Sequence, residues 1–501
     1  MSLVLRNGRL PGSDDLVDVR IDGGRITSIG YLPPADDHAP ATRTVDLAER
    51  WIIPGLWDNH VHFSQWAQTS RRLDVSAATS AHAAAQLVAE RLAALAALPG
   101  AGDHTGPGHD RLVGFGFRDG LWPDAPSRTL LDAATGAVPV VLVSGDLHSC
   151  WLNSAALAVY GFAGHQTGLL REDDAFAVER AIDNVPDADL DAWAHEAARA
   201  AAARGVVGIV DLEMTWNLDV WTRRMAAGQN SLRVDFGLYT HHLDDAVAQG
   251  LTSGQTIDGT GGLLTVGPYK VITDGSLNTR TAYCFDAYPG VTGEHAHGML
   301  TVPADELEAQ MRRAWAAGIR PAVHAIGDQA NSLALDAFEA VGCAGSIEHA
   351  QLLTAADVAR FARLGVTASV QPEHALDDRD VADRYWAGRT ERAFRLADLL
   401  AAGVHLALGS DAPVAPLDPW LAISAAVGRS RGDRAAWHPD QAISRQAALA
   451  ASARGRHTIS AGQVADLAIC EIDPFVASVA DLRRMPVAAT LLGGRFTHSA
   501  L

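Results

Sequence analysis

From residue 204 onward, short runs rich in Val, Ile and Leu recur between longer segments of helical periodicity, and no other feature limits the fold so tightly. Residues 206–210, 233–239, 264–272, 320–324, 346–349, 367–371 and 404–410 read as seven strands. Helical patterns separate them, so neighbouring strands run parallel, because a parallel pair needs a long crossover. An eighth strand lies upstream, where Trp51-Ile52-Ile53-Pro54-Gly55-Leu56 leads into Trp57-Asp58-Asn59-His60-Val61-His62. Eight such strands make an α/β fold, a (β/α)8 or TIM barrel, whose chemistry collects at the C-terminal ends of the strands.

The residues that close the strands are therefore the informative ones: His60, His62, Asp211, Lys270, His324, His349 and Asp411. His60 and His62, two apart on a strand, point to one face and can meet one cation. Imidazoles joined by a carboxylate suit Zn²⁺ or a similar borderline divalent ion, one or two per chain, with a position left for water. The expected metal ligands are His60, His62, Lys270, His324, His349 and Asp411. Asp411 ends Leu408-Gly409-Ser410-Asp411, where it can ligate metal and accept a proton from water, or cap the following helix. Lys270 is the odd member, since an ammonium cannot bind a cation and a buried charge needs a partner. It either reacts with carbon dioxide to become an anionic carbamate or stays charged and pairs with Asp274 or Asp411.

The chain has 501 residues and a formal charge of −19. Such a balance excludes a nucleic-acid binder, which needs a basic face. Cys150, Cys284, Cys343 and Cys470 are far apart and make no zinc-ribbon spacing, so they read as reduced thiols. The first residues lack the pattern of a signal peptide, and no apolar run approaches a membrane span. The expectation is a cytoplasmic protein with a small-molecule substrate and no nucleic-acid or membrane partner; homo-oligomerisation stays open.

Residues 1–56 alternate like short strands, and 455–501 do so again. Neither end can close a core alone, so the two are expected to combine into a small β-sandwich beside the barrel of 57–454. Residues 63–204 are far too long for a strand-to-helix connection and must fold as something. They hold helical runs at 82–97 and 192–203, a Gly- and His-rich loop at 99–110, and strand candidates at 111–117 and 138–143. The expectation is an elaborated first connection lying over the catalytic face.

The apolar strand that delivers Asp58-x-His60-x-His62 resembles the start of the barrel in the amidohydrolase superfamily of metal-dependent hydrolases. Four further blocks resemble one branch of it, that of N-substituted formamide deformylase and the YtcJ-like hydrolases: Asp146-Leu147-His148-Ser149-Cys150-Trp151-Leu152-Asn153, Asp274-Gly275-Ser276-Leu277-Asn278-Thr279-Arg280, Val370-Gln371-Pro372 and Gly409-Ser410-Asp411-Ala412-Pro413. Leu147 stands where that branch usually has Gly, and Asn278-Thr279 replaces a smaller pair. The resemblance implies that Asp411 is the catalytic residue of the eighth strand; superfamily members with a fourth-strand lysine often carry it carboxylated, which leaves both states of Lys270 open. Its branch-specific blocks suggest His148, Trp151 and Asn153 as substrate contacts. Arg280 either clamps a substrate carboxylate or pairs with Asp274 or Asp286, and His374 either touches the substrate or is a solvated loop residue. His295-Ala296-His297 repeats the metal pair's spacing, yet no strand precedes it, and it is assigned no role.

The activity implied is hydrolysis of a C–N amide bond, such as that of an N-formyl or N-acyl amine, by a metal-activated water with Asp411 as general base and then acid. Hydrolysis of a cyclic amide, carbamate or ester, or deamination, would use the same site. A non-catalytic binding protein on a retained barrel is the alternative of a different class.

Overall fold

The computed structural model describes residues 2–32, 42–97, 111–117, 119, 122–144, 149–171 and 173–501. Eight parallel strands form its centre: β1 (Leu56–Val61), β2 (Val206–Asp211), β3 (Arg233–Tyr239), β4 (Leu264–Ile272), β5 (Pro321–Ala325), β6 (Ser346–His349), β7 (Thr367–Val370) and β8 (Leu406–Leu408). Each pairs with the next in sequence order. β8 is short, and the circle is completed just beyond it. There the Asp411 amide donates to the His60 carbonyl at 2.7 Å and the His62 amide to the Ala412 carbonyl at 2.8 Å. The barrel is thus nearly closed, and its seam runs through residues expected to bind metal.

The seam depends on Gly409. A Cβ placed there would lie 2.8 Å from the His60 backbone nitrogen, so a side chain would push the first strand away. Local signals end the surrounding helices where the sequence indicates. Thr354 caps the helix Ala355–Leu364 by accepting from the Asp357 amide, and Gly365 ends it in the left-handed region.

Strands from both termini combine. Their strands belong to one hydrogen-bonded sheet of eight. Trp51–Pro54 is the link: it pairs antiparallel with Leu467–Cys470 and touches Ser2–Arg9 through Arg9 and Trp51. One strand thus joins the N-terminal and C-terminal sets edge to edge. Leu5, Val19, Ile52, Leu467, Ile469 and Leu491 form its buried core.

Residues 67–194 form a compact unit of their own. It carries a five-stranded sheet in the order Leu169–Arg171, Ser149–Leu152, Val140–Ser144, Leu112–Phe117, Leu73–Asp74. The helix Ala81–Ala96 begins at Ser80, whose side chain accepts from the Ala83 amide, and buries Ala81, Ala84, Ala85 and Val88. Phe117, Leu131, Leu142 and Trp151 join them in one core. The loop 99–110 lies outside the described residues. Among the described residues, no helix is long and apolar enough to cross a membrane.

Candidate metal centre

His60, His62, Lys270, His324, His349 and Asp411 all lie at or just beyond the C-terminal ends of barrel strands. The Nε2 atoms of His60 and His62 are 3.3 and 3.6 Å from Asp411 Oδ1. Two donors each about 2.1 Å from one tetrahedral cation would stand about 3.4 Å apart, so these spacings match a shared ion. His374 Nε2 is 3.9 Å from the other carboxylate oxygen, Oδ2. The ligand atoms of His60, His62 and Asp411 lie within 4.8 Å of one another, as do those of His349, His374 and Asp411. Asp411 thus stands between two donor sets.

The tautomers are set from behind. His60 Nδ1 is 2.7 Å from Glu348 Oε2, which makes it the protonated nitrogen and turns the Nε2 lone pair toward Asp411. Gln371 Oε1 lies 2.9 Å from Nδ1 of His349 and does the same there. Burial pulls the imidazoles down, to about 4 for His62 and His374, to about 3 for His324, and well below the usual value for His60 and His349. Neutral imidazole is the form that binds metal. His374 keeps a buried Nε2 that no protein group hydrogen-bonds, and the buried Nε2 of His324 has only the Asp274 carboxylate at 3.4 Å. Paired spacings, preset tautomers and unsatisfied nitrogens together fit a divalent cation.

The charged members behave accordingly. Burial pushes the Asp411 carboxyl up to about 7, with Lys270 pulling the other way. Burial lowers Lys270 from its usual value, against the attraction of Glu348 and Asp411. Its Nζ is 3.3 Å from His60 Nε2, so the amine sits inside the ligand cluster. Asp274 is not its partner. That carboxylate accepts the amides of Tyr283, Ile326 and Gly327 and anchors the segment after β4 to the segment after β5.

Backbone conformation helps aim the ligands. His349 and Asp411 have φ of 75° and 59°, in the left-handed region that few residues adopt without compensation. At His349 this breaks the alternation of the strand, so Glu348 and His349 both reach the site. Glu348, Gln371 and Glu373 were not among the expected site residues. Glu348 carried a readable signal: it pairs with His324 across β5 and β6, so the parity that turns His324 inward also turns Glu348 inward.

The remaining expected residues divide. His374 is buried on the helix Pro372–Asp377, with its ring parallel to His349, which removes the solvated-loop alternative. Asp211 accepts from Trp221 Nε1 and the amides of Phe63 and Glu213, which makes it a brace for the barrel rim. Arg280 is exposed and lies over the Tyr385 ring at 5.5 Å. It pairs with neither Asp274 nor Asp286; the latter is 3.3 Å from Arg389. Trp151 and Asn153 belong to the unit of 67–194, where both are fully buried. Asn153 accepts from the amides of Val140 and Ala156 and donates to Thr135 and Val138, so its side chain has no capacity left for a substrate. His148 lies outside the described residues.

Neutral imidazoles and a carboxylate gathered at the mouth of a parallel barrel define a metal-dependent hydrolase. Residues 43–498 match the model of the amidohydrolase family, and the chain belongs to that family. It is 27% identical to the protein LONG AFTER FAR-RED 3 of Arabidopsis thaliana, over 98% of this chain and 91% of that one. It is also 27% identical to the putative amidohydrolase YtcJ of Bacillus subtilis, over 92% and 91%. Identity to the N-substituted formamide deformylase of Arthrobacter pascens is 26%, over 95% and 94%. Among solved structures, a metal-dependent hydrolase from Pyrococcus horikoshii superposes with a TM-score of 0.76 at 25% identity, covering 96% of this chain and 99% of that one.

Proposed function

We propose that the protein hydrolyses a C–N bond of the amide type, in an N-formyl or N-acyl amine, with Asp411 as general base and then general acid. The observation that carries this reading is the position of Asp411, 3.3 Å and 3.6 Å from two neutral imidazoles and 3.9 Å from a third. Similarity to a deformylase of N-substituted formamides supports the choice of bond.

One or two Zn²⁺ ions, held among His60, His62, His324, His349 and Asp411 with a position left open, would acidify a water molecule and polarise the substrate carbonyl. This chain's own residues do the rest. Beside the imidazoles of His60 and His62, the Asp411 carboxylate can take a proton from the attacking water and return it to the leaving nitrogen. His374 presents an unsatisfied Nε2 toward the same place, where the neutral ring can accept a hydrogen bond from the attacking water and orient it. Glu348 and Gln371 keep the rings of His60 and His349 in register. Burial leaves the Lys270 amine disposed to lose its proton, the state that reacts with carbon dioxide to give the anionic ligand a two-cation centre needs. With one cation per chain, Lys270 instead remains an ammonium beside Asp411.

The test is release of free amine from a panel of N-formyl and N-acyl amines, with cyclic amides, carbamates and esters as comparators, using zinc-loaded protein. Turnover of an N-formyl or N-acyl amine that falls at least a thousandfold in Asp411→Asn supports the reading. Turnover confined to the comparators, or unaffected by that substitution, contradicts it.

A further inference from the structure

We propose that Glu373 is a positioning residue for His374, held by two arginines from the C-terminal third of the chain. This rests on the hydrolase reading above and extends it to a group that reading does not use.

Glu373 precedes His374 on the short helix Pro372–Asp377 and is only 3% exposed. A buried carboxylate must be paired to be tolerated. Here the pairing is threefold: Arg431 Nη2 lies 2.6 Å from Oε1, Arg483 Nη1 lies 2.9 Å from Oε2, and Arg483 Nη2 also bonds Oε1. Arg483 therefore grips both oxygens in a fork, a geometry that fixes direction as well as distance. Arg431 reaches further along the same helix to Asp377, at 2.7 Å.

The far side of this helix is the active site. His374 is buried, bonded to the backbone of Ser410, and 3.9 Å from Asp411. Six residues make fewer than two turns, which cannot hold an orientation by helix propensity alone. Pro372 at the first turn gives a fixed start, and the arginine fork supplies the second fixed point. Arg483 ends the helix Val479–Arg483, which joins two strands of the terminal sheet, Leu467–Cys470 and Val487–Leu492. The sheet built from the chain ends thus takes part in setting the catalytic geometry.

The experiment is a double-mutant cycle on zinc-loaded protein, with hydrolysis of the N-formyl amine turned over by the wild type as one readout. Glu373→Gln is expected to lower kcat at least tenfold while KM stays within threefold and zinc content is unchanged. The same change in a His374→Ala background is expected to lower kcat less than twofold, because the two residues act through one path. A merely structural role would lower both backgrounds alike. Arg431→Ala removes one of the three bonds from a 41% exposed residue and keeps the test open if Glu373→Gln misfolds; about a threefold loss of kcat is expected. Arg483→Lys, which keeps the charge and loses the fork, is expected to fall between wild type and Glu373→Gln. Independent of turnover, the ¹³Cε1 resonance of His374, assigned by its loss in His374→Ala, is expected to move in each folded variant. Equal losses in the two backgrounds, or a His374 resonance unmoved in folded variants, would overturn the proposal. A wild type that turns over no substrate would count against the hydrolase reading alone, and the resonance would still decide the role of Glu373.

Discussion

At the scale of single residues, the groups behind the ligands matter as much as the ligands. Glu348 touches no expected substrate position, yet it fixes which nitrogen of His60 faces the site. Glu348→Gln keeps the shape and loses the charge, and a roughly tenfold loss of zinc affinity is expected by competition with a chromophoric chelator. Asn153 is the converse case, a suspected substrate contact that caps a helix and satisfies a buried turn. Asn153→Ala should destabilise the unit of 67–194 by about 3 kcal/mol, since a cap and several buried bonds are lost together. Limited proteolysis should cut within 67–194 far sooner, with zinc content unchanged. The candidate ligands could be named from the sequence because a histidine or aspartate closing a β-strand is visible in one dimension. Asn153 was misleading because the same donors and acceptors serve a cap or a substrate, and only the partners tell which.

Among elements, the seam between β8 and β1 joins fold to chemistry. Backbone bonds at His60, His62 and Asp411 close the barrel and hold the candidate ligands in one step. Gly409→Ala should therefore disturb both: a Cβ 2.8 Å from the His60 nitrogen moves the strand that leads to two candidate ligands. Loss of most bound zinc is expected by elemental analysis, beside a thermal midpoint lowered by several degrees. All eight strands could be placed from their apolar runs and the helical segments between them, mostly within one or two residues. The terminal sheet was half legible. That both chain ends contribute strands could be read from their alternation, but which edge meets which depends on the long-range pairing of Trp51–Pro54 with Leu467–Cys470. No local pattern encodes that pairing. Glu373 was hidden for a similar reason, since its two arginines lie 58 and 110 residues away in sequence.

For the molecule as a whole, burial sets how cation binding depends on pH. Histidines held at about 4 or below carry no proton between pH 5 and 7, so they release none when metal binds. Asp411, raised to about 7, is protonated over that range and must ionise to ligate. Apparent zinc affinity should rise about tenfold per pH unit from 5 to 7 and then flatten, as one carboxyl proton is displaced per binding event. Calorimetric titrations at several pH values would check this, and a slope of two or more would show that the imidazoles titrate as well. The most direct measurement is elemental analysis of the purified, unchelated protein beside its His60→Ala variant. One or two equivalents of a divalent metal per chain are expected in the wild type, with most of it lost from the folded variant. No metal in the wild type, even after reconstitution with zinc or manganese, would contradict a metal-dependent hydrolase built on these residues.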